Sequence, residues 1–161
     1  MSSTDAGDAG APNPTDAPQI QILAQYVKDL SFENPNALQL LRGQRPELAV
    51  NVDVQARGVG PEQFEVELRF TVAGKQGTAD SFVVELSYAG VFAFRNVPQE
   101  ALQPVTLIEC PRLLFPFARR VIADITRDGG LPPLMLDPID FAGLYRQQLT
   151  EAQRAGAAGS A

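Results

Sequence analysis

The chain has 161 residues, 45% hydrophobic and 20% charged, and 13 basic against 19 acidic side chains leave a net charge of −6; this is the composition of one globular domain, large enough to bury a core without disulfides. The absence of histidine excludes Ser-His-Asp and Cys-His nucleophiles, histidine proton shuttles and the usual zinc sites, and the single cysteine excludes a disulfide within the chain and fits a reducing compartment. An isoelectric point near 4.6 argues against nucleic-acid binding, in which Lys and Arg displace counterions from phosphates, and favours a basic partner.

Residues Met1 to Pro18 hold small and polar groups with Asp5, Asp8 and Asp16 and no base, so a disordered acidic tail is expected there. This end lacks the basic and then apolar regions of a signal peptide, and no run approaches the roughly 18 apolar residues of a membrane span. A cytoplasmic chain without stable membrane insertion is expected.

From Gln19 to Glu33 two templates compete. Ile20, Leu23, Ala24, Val27 and Leu30 fit helical spacing, whereas Ile20, Ile22, Ala24, Tyr26, Leu30 and Phe32 fit alternation. A helix leaves Ile22, Tyr26 and Phe32 off its stripe, so the segment reads as a long strand with Lys28 the one exception. Leu48, Val50, Val52 and Val54 then alternate with Ala49, Asn51, Asp53 and Gln55, and Phe64, Val66, Leu68, Phe70 and Val72 alternate with Glu65, Glu67, Arg69 and Thr71. Both are half-buried antiparallel strands. After a turn supplied by Gly74 to Gly77, a fourth strand points Phe82, Val84, Leu86 and Tyr88 one way and Val83, Glu85, Ser87 and Ala89 the other.

After Gly90 the pattern becomes helical. Pro98 opens a short helix through Glu100 to about Ile108, and Pro111 a longer one to Arg127, closed by Gly129 or Gly130 at the left-handed cap position. Leu114, Phe117, Ala118, Val121 and Ile125 form the apolar stripe of the longer helix, and Pro116 either kinks it or delays its start. Asp137, followed by Pro138 at the first helical position and Asp140 in the first turn, reads as the N-cap of a last helix to about Arg154. The Ala, Gly and Ser of residues 155–161 have linker composition and are expected to form a second disordered tail. One domain over residues 19–154 remains, of α+β class: a four-stranded antiparallel sheet with the C-terminal helices packed on one side.

Alternation has a chemical consequence. The polar face of the sheet collects Asp29, Glu33, Asp53, Glu65, Glu67 and Glu85 and is expected to be acidic. It reads either as a solvated sheet surface, which any half-buried sheet needs, or as a dock for a basic partner whose encounter is speeded by charge complementarity. The fourth strand and the Pro111 helix are apolar on more than one face, which indicates an oligomer interface or a binding groove. Cys110 reads as a buried small hydrophobe, since no nearby histidine or lysine lowers its pKa. Asp137 and Asp140 have the chemistry of a general acid and base, yet capping explains both. Gly129, Gly130, Pro132 and Pro133 lack the Lys and Ser/Thr of a phosphate loop and read as a helix stop and turn. No cofactor or metal is expected.

Four ordered blocks carry a resemblance. They are Gln25-Tyr-Val-Lys-Asp-Leu-Ser-Phe-Glu-Asn-Pro-Asn36, Val83-Val-Glu-Leu with Tyr88-Ala-Gly-Val-Phe92, Ile108-Glu-Cys-Pro-Arg-Leu-Leu-Phe-Pro-Phe-Ala-Arg119, and Gly129-Gly-Leu-Pro-Pro-Leu-Met-Leu-Asp-Pro-Ile-Asp-Phe141. Over about Gln19 to Leu149 the chain resembles the SecB family of export chaperones. The resemblance implies a cytoplasmic, ATP-independent chaperone that binds unfolded precursor proteins, hands them to the motor SecA, and assembles as a homotetramer, a dimer of dimers. By matching position it implies SecA docking at Asp29, Glu33, Val83 and Glu85, and a tetramer-stabilising face at Val84, Leu86 and Tyr88. Client contacts are implied near Phe32, Leu48, Val50 and Val52, with Phe82 and Phe141 lining the adjoining groove. The chain departs from better-known members at Gln44-Arg45, where they carry a tryptophan before the proline, and in its Ala/Gly tail, where they carry an acidic segment.

Three classes of function stand against one another: the export chaperone, a SecB-like general holdase such as one controlling a toxin-antitoxin system, and a small-molecule enzyme using Asp137 and Asp140. The sequence has no motif that converges ionisable groups on a pocket, so no enzymatic activity is expected.

Overall fold

The computed structural model describes residues 16–43 and 45–159. Most of the expected N-terminal tail, Gln44 and residues 160–161 lie outside the described residues. Strands β1 (Gln19–Glu33), β2 (Glu47–Gly60), β3 (Gln63–Gln76) and β4 (Ala79–Arg95) form one antiparallel sheet in the order β1-β4-β3-β2. β2, β3 and β4 are a meander, turned at Pro61-Glu62 and at Gly77-Thr78, where Gly77 takes φ 66° as a tight turn requires. The segment between β1 and β2, which carries the short helix α1 (Ala37–Leu40), joins opposite edges of the sheet.

Two glycines expected to end elements lie inside them. β4 continues through Gly90 to Arg95, and a Cβ at Gly90 would lie 2.7 Å from the Leu114 side chain and 3.0 Å from Phe92. The glycine therefore marks where a helix crosses the sheet closely, not the end of a strand. Gly74 similarly lies within β3 beneath the Phe82 ring.

β1 departs from strict alternation at two bulges. Ile20 and Ile22 pair with Phe94 and Phe92; after a shift at Leu23, Ala24 and Tyr26 pair with Val91 and Ala89; after a second shift at Lys28, Leu30 and Phe32 pair with Leu86 and Val84. Paired residues share a face, so the bulges carry Tyr26 to the polar side, where alternation placed it with the apolar set.

Helix α2 (Gln99–Pro104), a π-helical segment (Val105–Glu109) and helix α3 (Cys110–Asp128) follow one another without a break. Two separate helices were expected; Pro111 instead sits in the first turn of α3, and the Cys110 amide reaches five residues back to the Val105 carbonyl. Widening the turn accommodates a residue that has no donor of its own. Pro116 lies inside α3 at an exposed position. Leu114, Phe115, Ala118 and Ile122 are the buried face of α3, packing into one core with Leu68, Phe70, Val84 and Leu86. Phe117, expected in the stripe, is 48% exposed, because one residue of helix rotates it about 100° from Ala118.

Gly130, at φ 82°, takes the left-handed position after α3. The last helix, α4, spans Phe141–Ala158 and starts later than expected: Asp140, not Asp137, is its N-cap, its Oδ1 accepting from the Gly143 amide at 3.0 Å. Asp140 takes the non-helical backbone of a cap, at φ −79° and ψ 84°, and its carbonyl accepts the Leu144 amide at 3.0 Å, which begins the helical ladder there. The helix continues past Arg154 through Ala-rich turns with high helix propensity, and these residues are exposed. No helix among the described residues is long and apolar enough to cross a membrane.

Candidate functional site

The sheet separates two surfaces. On the side away from the helices, Glu65 and Glu67 stand side by side along β3, only 5% and 8% exposed. Lys28 Nζ lies 3.0 Å from Glu65 and 3.3 Å from Glu67, Arg57 Nε 3.1 Å from Glu65, and Arg69 Nε 2.8 Å from Glu67. The hydroxyls of Tyr26 and Ser87 donate to Glu65 and Glu67 respectively. The Tyr26 hydroxyl, the Arg57 guanidinium and Lys28 hold the Glu65 carboxyl down to about 2 against the effect of burial. Burial raises Glu67, but the Arg69, Ser87 and Lys28 contacts outweigh it and leave the group lowered.

This network redistributes the charge of the face expected to be acidic. Its middle is balanced by Lys28, Arg57 and Arg69, and Asp53 accepts from the Gln55 and Gln148 amides. The negative excess falls on Asp29, Glu33 and Glu85, whose carboxylates are exposed and have no ion-pair partner among the described residues. The pairs Asp29 with Ser87, Ser31 with Glu85 and Glu33 with Val83 bring all four residues implied for SecA docking onto this face at the β1–β4 seam. A depression of about 500 Å³ opens beside them, lined by Lys28, Asp29, Arg69, Thr71, Glu85 and Ser87 among others.

On the helix side, two depressions of about 290 and 410 Å³ share Leu48 and Leu134. Phe82, Pro46, Leu131 and Pro133 line the first, and Val50, Met135, Leu136 and Ile139 the second. Of the residues implied for client contact, Leu48, Val50 and Phe82 are groove lining. Val52 is half-buried against the core and Phe32 packs its ring 6.4 Å from Phe82, and neither lines the two depressions. Phe141 does not line the groove; it is buried in the core, edge-on to Phe115 at 6.1 Å.

The other wall is the segment 131–139, which no periodicity in the sequence marks as a binding element. Pro132, Pro133 and Pro138 lack the backbone donors that a helix needs, so the segment is neither helix nor strand, and the Thr126 hydroxyl accepts the Leu134 amide at 3.0 Å and donates to the Ile122 carbonyl at 2.8 Å. Val84, Leu86 and Tyr88, implied as a tetramer face, are buried core beneath the helices of the protomer, and the Tyr88 hydroxyl donates to Gln25 in β1 at 3.2 Å. Exposed apolar side chains stand instead at Ile20, Ile22, Val27 and Leu30 on the helix side of edge strand β1 and at Leu113 and Phe117 of α3. Cys110 is buried, its thiol pushed up to about 12 by that burial and by Glu109. No group of three or more metal-ligating side chains occurs among the described residues.

The family profile described as preprotein translocase subunit SecB matches residues 13–152. The chain belongs to the SecB family. It is 56% identical to the protein-export protein SecB of Maricaulis maris over 96% of this chain and 91% of that protein. It is 54% identical to the SecB of Rhodopseudomonas palustris over 91% and 95% of the two chains. Among solved structures, the Mycobacterium tuberculosis Rv1957 SecB-like chaperone, in complex with a ChAD peptide from the Rv1956 HigA1 antitoxin, superposes with a TM-score of 0.59 at 19% identity, covering 74% of this chain and 90% of that one. That likeness is one of fold. SecB membership makes the chain a chaperone of protein export, and the α+β architecture of four antiparallel strands with C-terminal helices is the SecB-like one.

Proposed function

We propose that this chain is an ATP-independent holdase that keeps unfolded precursor proteins translocation-competent in the cytoplasm and delivers them to SecA, working as a homotetramer. The observation that carries this reading is the separation of two surfaces by one sheet. The apolar groove around Leu48, Val50 and Phe82 suits extended apolar segments, bound by many shallow contacts with avidity in place of a single hot spot. The opposite face presents Asp29, Glu33 and Glu85 around Val83, which suits a basic patch on SecA. Exposed Ile20, Ile22, Val27, Leu30, Leu113 and Phe117 supply apolar surface for self-association. An enzymatic reading is disfavoured because Asp140 is engaged as a helix cap.

The test assays each surface separately. Purified protein is expected to suppress aggregation of an unfolded precursor equally with and without ATP, and to bind SecA in calorimetry. Asp29→Lys combined with Glu85→Lys is expected to abolish SecA binding and leave aggregation suppression intact. Aggregation suppression without SecA binding would favour the general-holdase reading instead, and equal affinity for native and unfolded forms of one precursor would reject both.

A further inference from the structure

The strand that carries Asp29 and Glu33 is irregular, and the irregularity decides where its side chains point. The register of β1 shifts between Val27 and Asp29, so that Lys28 and Asp29 together oppose Ser87. A bulge re-aims side chains, and a one-residue slip turns a strand's whole set to the other face. Within the protomer β1 is hydrogen-bonded to β4 alone, so one strand supplies the backbone contacts that hold the bulge. Side chains supply a second hold. Lys28 reaches across β4 to Glu65 and Glu67 on β3 at 3.0 and 3.3 Å, and Tyr26 donates across the same strand to Glu65. Between them lies Ala89, paired with both Tyr26 and Glu67, whose small side chain leaves the crossing open. Arg57, Arg69 and Ser87 fix the two carboxylates from the remaining sides.

We propose that Tyr26, Lys28 and the Glu65–Glu67 pair are positioning residues for the partner dock: they lock the β1 bulge that keeps Asp29 and Glu33 on the polar face beside Glu85. The proposal rests on the reading of that face as the SecA dock.

The sign of one substitution separates positioning from charge. Lys28→Met removes a cation from the rim of an acidic site, so charge alone makes a basic partner bind more tightly. Positioning makes it bind more weakly, by about tenfold, the scale set by losing one charge-assisted contact. Tyr26→Phe changes no charge and is expected to weaken binding by a smaller factor, and Lys28→Arg to restore most of it. SecA is titrated into the full-length protein and each variant, with amide hydrogen exchange of β1 followed on the same samples. Lys28→Met and Tyr26→Phe are expected to speed exchange around Val27 to Leu30, and client aggregation suppression is expected to stay intact. SecA affinity unchanged or raised in Lys28→Met, or weakened without faster exchange in β1, overturns the proposal; if that variant does not fold, Tyr26→Phe decides by the same two readouts. Asp29→Lys with Glu85→Lys is run alongside. Normal SecA binding by that variant defeats the reading of the face, while β1 exchange still decides whether Lys28 locks the bulge.

Discussion

Glu65 shows how much one side chain can couple on this sheet. Its carboxylate takes Tyr26, Lys28 and Arg57 as partners, and these hold its pKa at about 2 against an ordinary 4.5. A carboxyl depressed on folding adds stability that is complete above its unfolded pKa and disappears as pH falls through the folded one. The contribution is therefore complete above about pH 4.5 and is lost between there and about 2. Urea unfolding of the wild type is expected to show a steep loss of stability across that window, and Glu65→Gln, already less stable at pH 7, a shallower one. Parallel pH profiles for the two proteins would show that the contacts around Glu65 contribute no pH-dependent stability. Alternation put Glu65 and Glu67 on the polar face, but it could not show that they are neutralised. Lys28 is an exception to the strand alternation and Arg57 lies beyond the alternating run 48–55, so the pattern sets neither cation against the acids.

Elements were legible where local pattern and tertiary packing agree. β1 was bounded by its own alternation, and the apolar sets of β2, β3 and β4 fall on the side the helices cover. What sequence could not show was set by contacts across the fold. The bulge at Lys28 puts Tyr26 and Lys28 within reach of Glu65 and Glu67 on β3, Gly90 is a glycine inside β4 because Leu114 occupies the space a Cβ would take, and α2 joins α3 because a π-helical turn absorbs Pro111. The start of α4 is a case where two capping candidates lay three residues apart and the backbone chose. Asp140→Ala removes the acceptor for the Gly143 amide and is expected to cost about 1 kcal/mol. Asp137→Ala, at an exposed position outside the helix, is expected to stay within about 0.5 kcal/mol of wild type. Chemical denaturation of the two single variants checks both, and equal losses would contradict the assignment of the cap.

At the scale of the whole molecule, the question is what covers the apolar side chains that the protomer leaves exposed. α3 packs over β3 and β4 and leaves Ile20, Ile22, Val27 and Leu30 on the helix side of β1 open, with Leu113 and Phe117 exposed on α3 itself. Symmetric self-association would bury such a set against its own copy. Leu86 cannot report on that contact, because it is core and a buried aspartate there disrupts the fold. Phe117→Asp can, since the side chain is 48% exposed in the protomer and a charge is tolerated there unless another subunit covers it. Light scattering is expected to show a tetramer for the wild type and a smaller species for Phe117→Asp, with unchanged circular dichroism. Each protomer keeps its own groove at Leu48, Val50 and Phe82, so a short apolar peptide that fills one groove is expected to bind the variant and the wild type alike. A long unfolded client engages several grooves at once, and dissociation removes that linkage, so its affinity is expected to fall by about 100-fold or more. Equal losses for the peptide and the long client would place Phe117 in the groove itself, and an unchanged tetramer would place the subunit contact elsewhere on the molecule.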